Sequence, residues 1–158
     1  MQKEKDTAFV LNELNNATTL SSGLNMINND TIEFKNLSFS DFFNNYLSEH
    51  QELKLANIIK DSGLSRQYAY DIINGKRAGS RDRIIALCFA AGMDLNVTNH
   101  ALKNAKHHEL YAKDKRDAII ILAINGKRNG SHDYVTATDL SILLDEQNQE
   151  PLNISTNI

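Results

Sequence analysis

The stretch from Leu53 to Arg83 constrains the fold more than any other part of the chain, because it has the spacing of two short helices joined by a tight turn. In its first half, apolar residues recur at helical spacing: Leu55, Ala56, Ile58 and Ile59. The run stops at Gly63, a residue suited to the left-handed position that follows a helix C-terminus. Ser65 can then cap a second helix through its hydroxyl group.

The second of these helices is predicted to have one buried and one exposed face. Ala69, Ile72 and Ile73 recur at i, i+3 and i+4, so they can face inward. The other face carries polar and aromatic side chains: Arg66, Gln67, Tyr70 and Asp71. Two cations, Lys76 and Arg77, follow the helix after an Asn-Gly pair. They are placed to hold phosphates beside whatever groove the helix enters.

These residues resemble the helix-turn-helix family of the phage repressors and Cro, often called XRE-type. The likeness lies in the order and spacing of Leu55-Ala56, Ser62-Gly63-Leu64-Ser65, Arg66-x-Tyr68-Ala69-Tyr70, Asn74-Gly75-Lys76-Arg77 and Ser80-Arg81-Asp82. The resemblance implies an all-α, five-helix lambda-repressor-like domain over residues 38–106. Its third helix would lie in the major groove of double-stranded DNA, usually as a homodimer on a two-fold operator.

The chain beyond residue 106 also resembles a subgroup of small bacterial XRE-type regulators that add two C-terminal helices. The likeness lies in Leu110-Tyr111-x-x-Asp114-x-Arg116-Asp117-Ala118-Ile119-Ile120-Ile121. Asp114 with Asp117 is predicted to cap the sixth helix, whose body over residues 118–124 is apolar on every face and must be covered all round. A last helix, capped by Thr136 with Asp139, can cover one side. The other side would meet the five-helix core or a second copy of the chain, and we therefore expect a homodimer.

Four segments follow from these patterns: an N-terminal arm, partly helical, over 1–37; the helix-turn-helix domain over 38–106; a C-terminal helical extension over 107–148; and a tail over 149–158. In the arm, one helical piece begins at Asp6 or Thr7 and a second at Thr18 or Thr19, ending at Asn28. Neither piece is expected to be stable alone. The arm either packs on the core or a dimer partner, or is disordered.

The net charge of −3 hides an asymmetry along the chain. Residues 1–59 contain four Lys and eight acidic residues, whereas residues 60–128 contain thirteen basic and seven acidic residues. Residues 129–158 contain five acidic residues and neither Lys nor Arg. The basic segment coincides with the predicted recognition helix and its flanking loops, which is the electrostatic pattern that a DNA-binding protein needs.

The resemblance implies how DNA would be bound. Arg66 and Gln67, at the start of the recognition helix, are the candidates for bidentate contacts to guanine and adenine edges. Tyr70 and Asp71 lie one turn further on, and Asp71 could accept from a cytosine amine or repel phosphate. The residues predicted to bind phosphates are Tyr68, Lys76, Arg77 and Arg81.

Other kinds of site are not expected. His107-His108-Glu109 contains good metal ligands, but it lacks the second His four residues away, and the nearby Cys, of a zinc site. These three residues are predicted to be an exposed linker, with neither metal nor cofactor. Cys88 lies in an apolar run, which predicts a buried thiol. We expect no enzymatic activity, since no nucleophile, base and orienting group occur at recognisable spacing.

Two further expectations concern the location of the protein and a local repeat. No segment approaches the roughly 20 apolar residues that span a bilayer, and a secretory segment is not evident, so a cytoplasmic location is expected. Ile73-Asn74-Gly75-Lys76-Arg77-x-Gly79-Ser80 recurs as Ile124-Asn125-Gly126-Lys127-Arg128-x-Gly130-Ser131. Each copy is predicted to close a helix and to place two cations just beyond it. The second copy would be another phosphate contact or a solvated loop.

The sequence therefore predicts sequence-specific binding to double-stranded DNA by a bacterial or mobile-element transcriptional regulator, such as a repressor. The alternative is a protein-interaction adaptor or antitoxin-like subunit that binds a partner protein through its apolar C-terminal helices.

Overall fold

The structure is a computed structural model of the 158-residue chain, and it describes residues 11–12, 14–16, 19–28 and 37–155. Regular secondary structure in these residues is helical throughout, which confirms the predicted all-α class. The chain divides into two compact units, Met1–Asn36 and Leu37–Ile158. None of the described helices is long and apolar enough to cross a membrane.

The first unit contains helix α1 (Leu20–Asn28), which confirms the second helical piece predicted for the arm. Thr19 precedes it, and its Oγ1 accepts a hydrogen bond from the backbone N–H of Ser22 at 2.9 Å. Residues 11–12 and 14–15 are also helical. The predicted start of the first helical piece, at Asp6 or Thr7, lies outside the described residues.

The second unit contains seven helices: α2 (Phe39–Glu49), α3 (Leu55–Ser62), α4 (Arg66–Ile73), α5 (Arg81–Ala90), α6 (Leu95–Asn104), α7 (Lys115–Arg128) and α8 (Ala137–Glu146). A side-chain cap precedes each of these helices except α3, where Lys54 makes no capping hydrogen bond. The predicted caps of α4, α7 and α8 are confirmed, because the side chains of Ser65, Asp114 and Thr136 each accept from the backbone N–H three residues on.

One hydrophobic core joins all seven helices of this unit. Each contributes at least one buried apolar side chain, among them Phe43, Ile58, Ile72, Leu87, Leu102, Ile120 and Leu140. Helix α5 lies at the centre and packs against α3, α6 and α8. Six consecutive residues, Ile84 to Phe89, are buried because neighbours cover every side of this helix. Cys88 lies among them as predicted, and burial raises the pKa of its thiol.

Two ion pairs join the N-terminal ends of α5 and α7. The Arg81 guanidinium donates to both carboxylate oxygens of Asp117, at 2.9 and 3.1 Å. In the same way Arg116 donates to both oxygens of Asp82, at 3.0 and 3.1 Å. Two Arg-Asp dipeptides thus exchange partners, and none of the four side chains is more than 19% exposed. We call these four residues the reciprocal clamp.

The reciprocal clamp also holds the connection between α6 and α7. Arg81 donates to the carbonyls of His108 and Glu109, at 3.1 and 3.0 Å. Asp117 accepts from the backbone N–H of Tyr111 at 2.9 Å. His107, predicted to be exposed, is instead half-buried, with its Nε2 2.8 Å from the carbonyl oxygen of Gly79. Glu109 is half-buried as well, and only His108 is exposed. The exposed-linker prediction is therefore wrong for His107 and Glu109, because the clamp holds this segment against the core.

Residues 150–155, which belong to the predicted tail, lie along the folded unit, and we call them the C-terminal strap. Leu152 is only 5% exposed, and its N–H donates to the hydroxyl of Ser141 at 3.2 Å. The carbonyls of Glu150 and Pro151 accept from Arg116, at 2.8 and 3.1 Å. The strap is thus attached to the reciprocal clamp.

The repeated Ile-Asn-Gly-Lys-Arg segment takes two different conformations. In the first copy α4 ends at Ile73, and Gly75 has a φ of 77°. In the second copy α7 continues through Gly126 to Arg128, so the prediction that each copy closes a helix is wrong for this one. Tertiary contacts account for the difference. The Lys127 ammonium donates to the carbonyl of Phe89, and burial lowers the pKa of Lys127.

The two copies predict opposite effects of the same substitution. Gly126→Ala should raise the free energy of unfolding by about 0.5–1 kcal/mol, because alanine is the better helix former and its Cβ would meet only Ser131 at 3.8 Å. Gly75→Ala should lower it by about 1–2 kcal/mol, because an L-residue is strained at a positive φ. Urea denaturation of both variants measures the two effects. Changes of the same sign would contradict the assigned conformations.

The reciprocal clamp predicts a large loss of folding stability when one of its cations is removed. Arg81→Ala leaves Asp117 buried without its partner, so the free energy of unfolding at pH 7 should fall by about 3–5 kcal/mol. The matched control is Lys103→Ala, which breaks the Lys103–Glu109 pair, with side chains 64% and 41% exposed. That control should cost at most about 1 kcal/mol. Equal losses in urea denaturation would contradict the importance of the clamp.

The Arg81–Asp117 pair predicts that the free energy of unfolding depends on pH. Burial alone would raise the pKa of Asp117, but hydrogen bonds from Arg81 and from the N–H of Tyr111 hold it below the ordinary value of 3.8. The stabilisation is therefore present above the ordinary Asp range and lost as the pH falls through the lowered pKa. Once Asp117 is protonated it carries no charge, so loss of the Arg81 guanidinium no longer leaves a buried charge unpaired. The difference in unfolding free energy between the natural chain and Arg81→Ala should thus shrink between pH 7 and pH 3.

Candidate nucleic-acid interface

Helix α4 has the two faces that its sequence predicts. The apolar face is buried, with no side chain above 2% exposed: Ala69, Ile72 and Ile73. On the outer face, Arg66 and Gln67 in the first turn are exposed, and Tyr70 and Asp71 one turn further on are half-buried. The core thus holds the helix from behind while its N-terminal end projects two long polar side chains into solvent.

The four predicted base-reading side chains form two pairs along α4. The amide Nε2 of Gln67 donates to Oδ1 of Asp71 at 2.9 Å. The guanidinium carbon of Arg66 lies 5.6 Å from the ring centroid of Tyr70. Both are i, i+4 contacts, which orient the longer side chain along the helix surface. The Gln67 bond uses one amide hydrogen, so a second hydrogen and the carbonyl oxygen can meet a base edge.

The turn between α3 and α4 is fixed by its own hydrogen bonds. Gly63 has a φ of 72°, the left-handed conformation expected after a helix C-terminus. The buried hydroxyl of Ser62 accepts from the N–H of Leu64 at 3.2 Å. Ser65 accepts from the N–H of Tyr68 at 3.2 Å and so starts α4. The start of α4, where Arg66 and Gln67 lie, is therefore rigidly placed.

The loop after α4 carries two of the cations predicted to bind phosphates. The backbone N–H groups of Lys76 and Arg77 both donate to the carbonyl of Asp71, at 2.8 and 3.1 Å. These bonds hold the loop against the last turn of the helix. Both side chains remain exposed.

Tyr68, a third predicted phosphate-binding residue, is half-buried beside two arginines. The guanidinium carbons of Arg77 and Arg83 lie 4.8 and 4.4 Å from its ring centroid. Arg83 also donates to the Tyr68 hydroxyl at 2.9 Å, and that hydroxyl can still donate its own hydrogen to a phosphate. Arg83 was not among the predicted site residues. Its contact with Tyr68 spans fifteen positions of the chain and leaves no local signal.

The assignment of Arg81 to phosphate binding is corrected. Its guanidinium makes four hydrogen bonds inside the protein, to Asp117 and to two backbone carbonyls, and its side chain is only 16% exposed. A guanidinium used in this way has little left to offer a phosphate. The sequence pattern placed Arg81 correctly at the start of α5 but could not reveal its distant partner.

The cations around α4 are not among those that form ion pairs in the second unit. Arg81, Arg116 and Lys103 pair with carboxylates. The cations on and beside α4 have no ion-pair partner among the described residues: Arg66, Lys76, Arg77 and Arg83. Exposed cations without an ion pair also lie elsewhere, such as Lys113 and Lys115, but the group around α4 adjoins the exposed face of a helix, and such a group favours contact with a polyanion.

Among the residues that the structure covers, no group of three or more His, Cys, Asp or Glu side chains could hold a metal ion. Comparisons with protein-family models, with curated proteins and with solved structures find no match to this chain. The candidate interface thus depends on the geometry and charge of α4 and of the loop that follows it.

Proposed function

We propose that the chain binds double-stranded DNA sequence-specifically through α3 and α4, as a helix-turn-helix of the lambda-repressor-like, XRE type, and that it regulates transcription. One observation supports this most strongly. Helix α4 is buried on one face and exposes Arg66 and Gln67 at its N-terminal end, with the unpaired cations Lys76 and Arg77 directly beyond its C-terminal end. An α-helix of this kind fits the major groove, where each base pair presents a distinct pattern of donors and acceptors.

In the proposed complex, Arg66 and Gln67 read bases. The Arg66 fork can donate to N7 and O6 of guanine, and Gln67 can pair with N6 and N7 of adenine. Asp71 and Tyr70 orient these two side chains through the contacts along α4. Asp71 also has a second carboxylate oxygen that can accept from a cytosine amine.

Phosphate contacts determine the register of the helix on the duplex. Lys76 and Arg77 supply two such contacts from the loop, and the Tyr68 hydroxyl supplies a third. These contacts add affinity without reading sequence, and each releases condensed counterions from the DNA. The proposal requires neither a cofactor nor a catalytic group.

The proposal predicts that Arg66 raises the affinity for the native DNA sequence but not for a scrambled one. Fluorescence anisotropy would compare a duplex from upstream of the protein's own gene with a scrambled duplex of equal length. Arg66→Ala should cost about 1–3 kcal/mol on the native duplex and little on the scrambled one. Equal loss on both would contradict the base-reading role.

The control is the double variant Lys76→Ala with Arg77→Ala, measured at several salt concentrations. It should weaken binding to both duplexes and flatten the salt dependence by roughly one slope unit per lost contact. If the natural chain binds neither duplex at low salt, the DNA-binding proposal fails.

The exposed apolar surface of the last two helices favours a homodimer, or else the second candidate function. Leu122 of α7 is 69% exposed and Ile142 of α8 is 50% exposed. Leu122, Ile119 and Leu143 line a groove of about 410 Å³ between the two helices. Residues 118–124 were expected to be covered all round, but within the described chain α6 and α8 leave Leu122 open. A second copy would cover it and match a two-fold operator.

The dimer predicts a concentration-dependent change in sedimentation. The natural chain should sediment as a dimer at micromolar concentration, and Leu122→Glu should sediment as a monomer because a charge cannot be buried in an apolar contact. Lys113→Glu, at an exposed position before α7, is the control for added negative charge. A natural chain that is monomeric and does not bind DNA would favour the adaptor or antitoxin-like alternative.

A further inference from the structure

We propose, on the basis of the proposed function, that Arg83 is a positioning residue of the DNA interface. It holds Tyr68 and, through Tyr68, the phosphate-binding side chain of Arg77, and it is itself held by the C-terminal strap. The strap would then belong functionally to the interface, although it begins 73 positions after Arg77 in the chain.

Arg83 connects two distant residues through its guanidinium group. Its Nη1 donates to the Tyr68 hydroxyl at 2.9 Å, and its Nη2 donates to the carbonyl of Ser155 at 3.1 Å. Its Nε is buried and has no hydrogen-bond partner among the described residues. Its guanidinium carbon lies over the Tyr68 ring, 4.4 Å from the ring centroid. Both ends of the guanidinium are therefore used to connect Tyr68 with Ser155.

Tyr68 passes this constraint on to Arg77. The Arg77 guanidinium carbon lies 4.8 Å from the same ring centroid, while the side chain as a whole is exposed. A free arginine side chain samples many rotamers, and part of this rotamer entropy is lost when it binds. Stacking on a fixed ring removes some of that freedom before DNA arrives. A fixed Tyr68 thus lowers the entropic cost of the Arg77–phosphate contact.

The strap gives Arg83 a fixed acceptor. Ile154 packs directly over the turn before α4, where a Cβ added to Gly63 would lie 2.7 Å from its Cδ1. The N–H of Asn153 donates to Asp82 of the reciprocal clamp at 2.9 Å. The strap therefore runs from the reciprocal clamp to the turn between α3 and α4. The Ser155 carbonyl that accepts from Arg83 lies at its end.

A double-mutant cycle on the full chain tests whether Arg83 acts through Arg77. Binding of Arg83→Gln, Arg77→Ala and the double variant to the native and scrambled duplexes would be measured by fluorescence anisotropy at several salt concentrations. Each single variant should weaken binding to both duplexes by a similar factor, roughly 3- to 10-fold, and flatten the salt dependence. The fold-loss of the double variant should be clearly smaller than the product of the two single fold-losses, because in Arg77→Ala only the Tyr68 hydroxyl contact still depends on Arg83. Discrimination between the two duplexes should not change.

Two controls separate positioning from charge. Arg128→Gln removes the same charge from a residue that donates to Gly92, beyond the opposite end of α5 and about 15 Å away along the helix axis. In the Tyr68→Phe, Arg77→Ala background, which lacks both contacts that Arg83 is proposed to hold, Arg83→Gln should weaken binding no more than Arg128→Gln does. Arg83→Lys retains the charge but cannot bridge Tyr68 and Ser155 with a planar fork, so it should bind like Arg83→Gln.

Circular dichroism and thermal melting would establish that each variant is folded. If the Arg83 variants do not fold, Ile154→Ala, which loosens the strap over Gly63, enters the cycle with Arg77→Ala in their place and should give the same non-additivity. Additive losses, or full affinity in Arg83→Lys, would overturn the positioning role while leaving α4 as the reading helix. If the natural chain binds neither duplex, both the proposed function and this inference fail.

Discussion

The ion pair between Arg81 and Asp117 is the interaction on which the rest of the second unit depends. Asp117 is 3% exposed, and a carboxylate in that environment is costly unless a cation and several hydrogen bonds compensate it. Arg81 and the N–H of Tyr111 provide them. Because α5 lies at the centre of the core, pairing its first residue with α7 determines where the C-terminal helices are placed. The second pair of the reciprocal clamp, Arg116 with Asp82, extends the same junction to the C-terminal strap.

Ion pairing inside the second unit determines which cations are unavailable to a ligand. The reciprocal clamp pairs Arg81 and Arg116 with carboxylates inside the protein. In the second Ile-Asn-Gly-Lys-Arg segment, the Lys127 ammonium donates to the carbonyl of Phe89. Four of the cations that form no ion pair among the described residues lie on and beside α4: Arg66, Lys76, Arg77 and Arg83. The coincidence of these charges with an exposed, firmly held helix is the physical basis of the proposed DNA interface. In this view Arg83 serves both roles, since it supports the surface and adds to its charge.

The two Ile-Asn-Gly-Lys-Arg segments illustrate how far local sequence can decide local structure. Asn-Gly favours the end of a helix, and it does end α4 at Ile73. In α7 the same residues stay helical, because the carbonyl groups of Phe89 and Gly92 accept hydrogen bonds from Lys127 and Arg128. The cost of a helical glycine, about 1 kcal/mol, is small enough for such contacts to offset. Identical short segments therefore give different conformations when their tertiary partners differ.

The sequence by itself determined the all-α class, the capping residues of α4, α7 and α8 and the buried face of α4, since each depends on residues at most four positions apart. It also identified the exposed side chains of α4, because the helical period that buries Ala69, Ile72 and Ile73 exposes the opposite face. Only the tertiary structure decided the role of Arg81, whose partner lies 36 positions away, and that of Arg83, whose acceptor lies 72 positions away. Such pairings depend on how helices pack in space, and a local pattern of residues carries no record of that packing.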